Sequence, residues 1–328
     1  MKKKILLIDA DSKIPNIALM KLSTYYKSRN YEIKLMRLNI AYYPSLLKKS
    51  HQIDTSNYHK AFCSIIFPGS RRYVHGDNII YGGTGFNLKT KLPHIIESCK
   101  PDYSIYPDCQ YNYGYISRGC IRNCSFCFVP EKEGYIYQTN HPRDIITDQF
   151  NATIFMDNNI LALPNHMEIL KYLVDSKSKC RFEQGLDIRL INKENSQLLS
   201  QLSYLKEYIF AFDNWNYKNI IDEKLPLLSW ASKWRLRFYI YVHPSMPLSN
   251  TIKRIMYMKE RKHLVYIMRD ISCWNNKYNR FYTTIAAWCN QPSIFRKKTF
   301  KEYLIIRSLG KDQRRMGRQW DMAIKGEL

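Results

Sequence analysis

The segment Gly114-Tyr115-Ile116-Ser117-Arg118-Gly119-Cys120-Ile121-Arg122-Asn123-Cys124-Ser125-Phe126-Cys127-Phe128-Val129-Pro130-Glu131-Lys132-Glu133-Gly134 places three cysteines within eight residues, directly after a strand-like run. A C-x3-C-x2-C loop of this kind suits a four-iron cubane. Three thiolates hold three of its irons, the fourth stays open to a substrate or cofactor, and a compact loop lets all three sulfurs face one side. Arg118, Gly119, Arg122 and Asn123 add tight-turn residues and positive charge that offsets the thiolates. Zinc is the competing reading; it needs four closed ligands, and Cys109 or His141 could complete the set. A third reading, unligated buried thiols, gains nothing in packing from three cysteines in one loop.

Downstream of the loop the pattern is cyclic. Strands are predicted at 113–118, 152–156, 180–186, 207–212, 236–242 and 264–269, with helical periodicity at 144–149, 166–174, 193–202, 219–230 and 251–259. Six βα steps imply a parallel sheet, and right-handed crossovers curl it into a partial (βα)6 TIM-type barrel over residues 111–290, with active groups at the carboxyl ends of the strands. Upstream, residues 1–110 read as a doubly wound, Rossmann-like α/β unit. Its strands are predicted at 5–8, 32–37, 62–67 and 78–81, with a helix entered through Pro15-Asn16. From Pro292 to the end, ten Lys or Arg stand against four acids, so residues 291–328 read as a basic C-terminal extension.

The cysteine loop and the six βα units together resemble the radical S-adenosylmethionine (SAM) superfamily over about residues 111–290. Cys124-Ser125-Phe126-Cys127-Phe128-Val129-Pro130, with Gly134 shortly after, is similar to its methylthiotransferase and cobalamin-binding branches. The resemblance implies a 4Fe-4S cluster on Cys120, Cys124 and Cys127 whose open iron chelates the amine and carboxylate of SAM. An external flavodoxin- or ferredoxin-like donor supplies an electron, SAM splits into methionine and a 5′-deoxyadenosyl radical, and the radical takes hydrogen from a substrate. Phe126 matches the position whose backbone meets adenine. Asp157 and Asn158 stand where the family has a Gly-Gly-Glu-like segment for the methionyl amine, although the glycines are absent. Gln184 and Arg189 lie in the polar group ending the third strand, Arg189 being the fork for the methionyl carboxylate, and Asp213 is placed to hold the ribose hydroxyls. Met268 and Arg269 would close the adenine edge. The residues alone also allow helix caps or surface ion pairs at these positions.

The N-terminal unit is similar to the cobalamin-binding domain of that superfamily, but Asp-x-His-x-x-Gly is missing, so cobalamin is admitted without being favoured. The turn Gly82-Gly83-Thr84-Gly85 could offer backbone amides to a phosphate or corrinoid tail. A phosphate-loop reading fails because Leu88 replaces its last glycine. Only Cys63, Cys99 and Cys109 are available for a second cluster of the methylthiotransferase type, with Asp9-Ala10-Asp11 where a first-strand cysteine would stand, which disfavours sulfur insertion. Cys63, Cys99, Cys180, Cys273 and Cys289 read as buried apolar thiols.

The chain has 328 residues and a net charge of +23, and its 45% apolar content is too high for a disordered basic protein. No apolar run approaches the ~18 residues of a membrane span, and Asp9 interrupts the opening apolar stretch before a signal peptide could be complete. A cytoplasmic protein with reduced thiols is expected. The charge favours a nucleic-acid substrate, with Arg296-Lys297-Lys298 and Arg314-Arg315 on phosphates and Phe300, Tyr303 and Trp320 stacking on bases. Richness in Asn, Ile, Tyr and Lys also fits A/T-rich codons, which leaves the same chemistry on a small molecule or peptide as the alternative. A non-catalytic iron-sulfur nucleic-acid binder is the third reading.

Overall fold

The computed structural model describes residues 2–40, 50–307 and 311–328. The chain is mixed α/β and forms two compact units, Met1–Ile154 and Phe155–Leu328, a division that differs from the sequence-based boundaries after residues 110 and 290.

In the first unit, β1 (Lys4–Asp9), α1 (Ile17–Lys27), β2 (Glu32–Arg37), β3 (His51–Gln52), β4 (Lys60–Ser64), β5 (Val74–His75) and β6 (Ile79–Gly82) follow in order. β2-β1-β4-β6 is a parallel sheet, with Ile5 opposite both Ile33 and Lys60 and Ala61 opposite Ile79. β1 is central and apolar on both sides, as a strand covered on both faces must be. Its Ile5 and Leu7 pack against Leu19, Leu22 and Tyr26 of α1, whereas Leu6 and Ile8 pack against Ile40, Ile53, Cys63 and Val74. Asn16 caps α1, its side chain accepting from the Leu19 N–H at 3.2 Å. Then come α2 (His94–Glu97), β7 (Asn112–Gly114), β8 (Ser117–Arg118), α3 (Val129–Glu133), β9 (Tyr137–Gln138), α4 (Pro142–Ile145) and β10 (Ala152–Phe155), which runs across the boundary into the second unit.

The second unit holds α5 (His166–Asp175), β11 (Lys179–Phe182), α6 (Lys193–Gln201), β12 (Tyr208–Ala211), α7 (Lys218–Lys224), β13 (Leu236–Val242), α8 (Leu248–Glu260) and β14 (Leu264–Arg269). β12, β13 and β14 are parallel, Phe210 opposite Phe238 and Phe238 opposite Val265, and single parallel bridges join Cys180 to Tyr204 and Leu186 to Phe210. β13 alternates strictly, with Leu236, Phe238, Ile240 and Val242 buried. α9 (Asn279–Cys289), α10 (Pro292–Lys297), α11 (Phe300–Ile306) and α12 (Lys311–Lys325) complete the unit.

Three differences from the sequence reading have local causes. The helix expected at 144–149 is α4, begun earlier by Pro142 at its first position and by a His141–Asp144 capping box, and ended where Ile146 turns extended. The helix expected at 219–230 changes to a 3₁₀ turn at Leu225–Leu228, because Pro226 lacks the N–H an α-helix needs there. The basic extension is folded, not appended. Phe300, Tyr303 and Trp320 are buried, with Phe300 stacked on Trp320 at 4.5 Å, so these rings are not available to bases.

His263 is largely buried beside Phe238, and burial with Arg261 nearby pushes its imidazole down to about 4. The unfolded chain takes up this proton near pH 6.5 and the folded chain only near pH 4. Stability is therefore fully present above the unfolded value and is lost as pH falls through the window between them. We expect about 2 kcal/mol of loss between pH 7.5 and 5 from this residue. Urea unfolding of His263→Leu should lose that much less over the same interval; equal losses in both proteins would refute the assignment.

Candidate functional site

The cysteine loop lies in the first unit and is closed by a hairpin the sequence did not announce. β8 and β9 pair antiparallel, Ser117 opposite Gln138 and Arg118 opposite Tyr137. Glu133 braces the loop's entrance: its carboxylate accepts the Gly119 N–H at 2.9 Å and pairs with the Arg118 guanidinium at 2.9 Å. Gly119 has φ +76°, and a Cβ there would lie 2.3 Å from the Tyr135 carbonyl oxygen, so only glycine permits this approach. The Cys120 N–H donates to Gly134 O at 3.2 Å and the Cys127 N–H to Cys124 O at 2.9 Å. The Arg122 N–H donates to Cys120 Sγ at 3.3 Å. Cys120, Cys124 and Cys127 are half-buried, while Phe126 is 40% exposed.

The other cysteines differ in kind. Cys63, Cys180, Cys273 and Cys289 are buried, and burial pushes Cys63 and Cys180 up to about 12 and Cys273 to about 11. Cys99, expected to be buried, is half-exposed and donates to Ile95 O at 3.3 Å. The residues proposed to complete a zinc site are engaged elsewhere. The Cys109 thiol donates to Tyr111 O at 3.2 Å, and His141 Nδ1 accepts from the Arg143 N–H at 3.2 Å as the cap of α4. Among the described residues, no three His, Cys, Asp or Glu side chains are gathered as one metal ion would require.

The strand-end residues lie in the second unit. Asp157 is fully buried and Asn158 half-buried, after β10. Gln184 is exposed on the turn that follows β11. Arg189 does not present an open fork: its Nε and one terminal nitrogen donate to the two oxygens of Asp187 at 2.6 and 3.0 Å, and its guanidinium lies 4.8 Å from the Tyr217 ring centre. Asn159 Nδ2 reaches the same carboxylate at 3.5 Å. Asp213 accepts the Tyr241 N–H at 2.9 Å; burial raises its carboxyl above the ordinary range, against the pull of that N–H, Arg254 and Arg189. The structure thus groups Asn159, Asp187, Arg189 and Asp213, with Gln184 outside the group.

Sequence reading missed Arg254. On α8 and fully buried, it donates to Phe212 O at 2.9 Å and Tyr241 O at 3.2 Å, tying together the ends of β12 and β13. Burial lowers it to about 10, still charged at neutral pH. It also missed the pair formed where Tyr241 OH donates to Asp270 at 2.7 Å.

At the carboxyl ends of β1 and β4 the fit to a corrinoid is poor, because the chain's own side chains fill the crevice. Asp11 accepts the Ile66 and Phe67 N–H groups at 2.8 and 2.9 Å, Tyr106 OH donates to Asp9 at 2.8 Å, and Asn16 donates to Ser64 at 2.8 Å. The cavity beside them, lined by Lys13, Arg37 and Tyr106, holds about 240 Å3, below the usual range even for small ligands. The glycine turn serves packing. A Cβ on Gly83 would meet Ile65 O at 2.2 Å, and the Gly85 N–H is already given to Ile65 O at 2.9 Å.

Among the described residues no helix is long and apolar enough to cross a membrane. No family model matches the chain, and no curated protein matches it. Among solved structures it is similar to the radical S-adenosylmethionine methyltransferase TsrM from Kitasatospora setae, determined with tryptophan substrate and a SAM analogue (aza-SAM) bound. The TM-score is 0.56 at 10% sequence identity, covering 81% of this chain and 73% of that one. The likeness is one of fold alone, and this chain is mixed α/β with parallel sheets.

Proposed function

We propose that this chain is a radical SAM enzyme whose Cys120, Cys124 and Cys127 hold a 4Fe-4S cluster. The observation that carries the reading is the braced three-thiol loop, which occurs in a chain whose fold resembles that of such an enzyme. A tetrahedral ion needs its ligands drawn to one centre, whereas a cubane's three thiolates sit on three irons and stand farther apart. The hydrogen bonds of Cys109 to Tyr111 and of His141 to Arg143 support the cluster over zinc. When bound, the cluster would pass one electron, taken from a flavodoxin- or ferredoxin-like donor, to SAM. The partial (βα)6 barrel belongs to the same reading, supported by the parallel β12–β14 register and the helix after each strand. The Rossmann-like N-terminal unit is supported by the parallel β2-β1-β4-β6 order.

In this reading Arg189, Asp157 and Asn158 serve the methionyl end, Gln184 adds a polar group after the third strand, the Phe126 backbone serves adenine and Asp213 the ribose. Asp187 fixes the plane of the Arg189 guanidinium and shares its charge. The substrate we favour is nucleic acid, supported by the +23 charge and by exposed Arg296, Lys297, Arg314 and Arg315.

The test is anaerobic reconstitution with iron and sulfide, reduction, and mass spectrometry of the SAM products. We expect 5′-deoxyadenosine and methionine. Intact SAM in fully loaded, reduced protein would overturn the reading and promote the non-catalytic one. Arg189→Ala should keep the cluster and lose about tenfold in SAM affinity, the low end for a charge-assisted bond because Asp187 already shares the guanidinium. Unchanged affinity would move the carboxylate site elsewhere.

A further inference from the structure

Away from the cysteine loop, the first unit contains a cavity of about 510 Å3 lined by Arg71, Arg72, Val74, His75, Tyr81 and Phe86. That volume lies within the range of small-ligand sites. Arg71 and Arg72 come from the 3₁₀ turn Pro68–Tyr73 that follows β4, Tyr81 belongs to β6, and Phe86 follows it. Val74 and His75 form the short β5, while Arg71, Arg72 and Phe86 lie beyond the carboxyl ends of the neighbouring parallel strands β4 and β6, where open α/β sheets take ligands.

Both guanidiniums are exposed, and among the described residues no carboxylate pairs with either. The segment 41–49 carries no Asp or Glu that could do so. Beside this uncompensated charge stands an aromatic platform. Tyr81 and Phe86 stack at 5.3 Å and 21°, and the Arg71 guanidinium lies 4.7 Å from the Phe86 ring centre. His75 Nε2 donates to Arg72 O at 2.9 Å. Two adjacent guanidinium forks match a phosphate, and a flat π face matches a base.

We propose that this cavity binds a nucleoside phosphate, the base on Phe86 and Tyr81 and the phosphate on Arg71 and Arg72. On binding, the base takes the face of Phe86 that Arg71 now covers, and Arg71 joins Arg72 on the phosphate. The site uses no cysteine and stands independently of the radical SAM reading. Its ligand is either a free nucleotide or one unit of a single strand.

The full chain is titrated with AMP, inorganic phosphate and a labelled single-stranded oligoadenylate. Arg71→Ala with Arg72→Ala should weaken AMP and oligoadenylate by about tenfold or more. Phe86→Leu should weaken AMP while leaving phosphate unchanged. Lys2→Ala with Lys3→Ala, which removes the same charge elsewhere, should leave AMP unchanged. AMP binding without oligoadenylate binding supports the free-nucleotide source, and tighter oligoadenylate binding supports the strand. The proposal is overturned if neither ligand binds, or if the arginine pair is silent. It also fails if the lysine pair weakens binding as much, or if phosphate matches AMP and Phe86→Leu changes nothing.

Discussion

Replacing Cys120, Cys124 and Cys127 together with Ala is expected to abolish iron and sulfide incorporation, the brown chromophore and SAM cleavage. No other cysteine can substitute. Burial holds Cys63, Cys180, Cys273 and Cys289 as thiols, and the Cys99 and Cys109 sulfurs donate to backbone carbonyls. All six tryptophans lie in Phe155–Leu328 while the loop lies in Met1–Ile154, so tryptophan fluorescence should show the second unit unfolding as in the wild type. Cys109→Ala and His141→Ala should retain the cluster. Full iron and sulfide in the triple variant would refute the assignment, and stoichiometric zinc lost in either control would install the rival site.

The loop stands out because its pattern is local: three cysteines within eight residues need no tertiary information to be noticed. β1, β2, β13 and β14 were readable for a related reason, since an apolar run or a strict alternation is written along the strand itself. The β8–β9 hairpin was not, because two-residue strands carry no period. Arg189 lies in the turn beyond β11, and its pairing with Asp187, two residues away, depends on a side-chain direction that sequence spacing does not give. The α12 aromatic was misread although the signal was present. Met316, Trp320 and Ala323 fall at helical spacing and form the helix's buried stripe. Arg254 left no such trace. It sits in a helix with basic residues around it, and nothing in sequence separates a buried guanidinium from a solvated one.

Arg254→Ala is expected to destabilise the second unit by about 3–5 kcal/mol, the range for stripping one partner from a buried charged network. One guanidinium satisfies the carbonyls of Phe212 and Tyr241 and faces the desolvated carboxylate of Asp213. Its loss leaves two acceptors unpaired and raises a carboxyl that burial has already raised. Arg254→Met separates the causes: it refills much of the volume but donates nothing, so it should fall between wild type and Ala. Adding Asp213→Asn to Arg254→Met should recover part of the loss by removing the unpaired charge, a coupling that a double-mutant cycle reads directly. Urea unfolding followed by tryptophan fluorescence, which reports on this unit alone, measures each step. If Ala and Met both lay within about 0.5 kcal/mol of wild type, as ordinary surface substitutions do, the guanidinium would not be what ties β12 to β13. If it is, and if Asp213 serves the ribose as proposed, Arg254→Met should weaken SAM binding even in protein that remains folded.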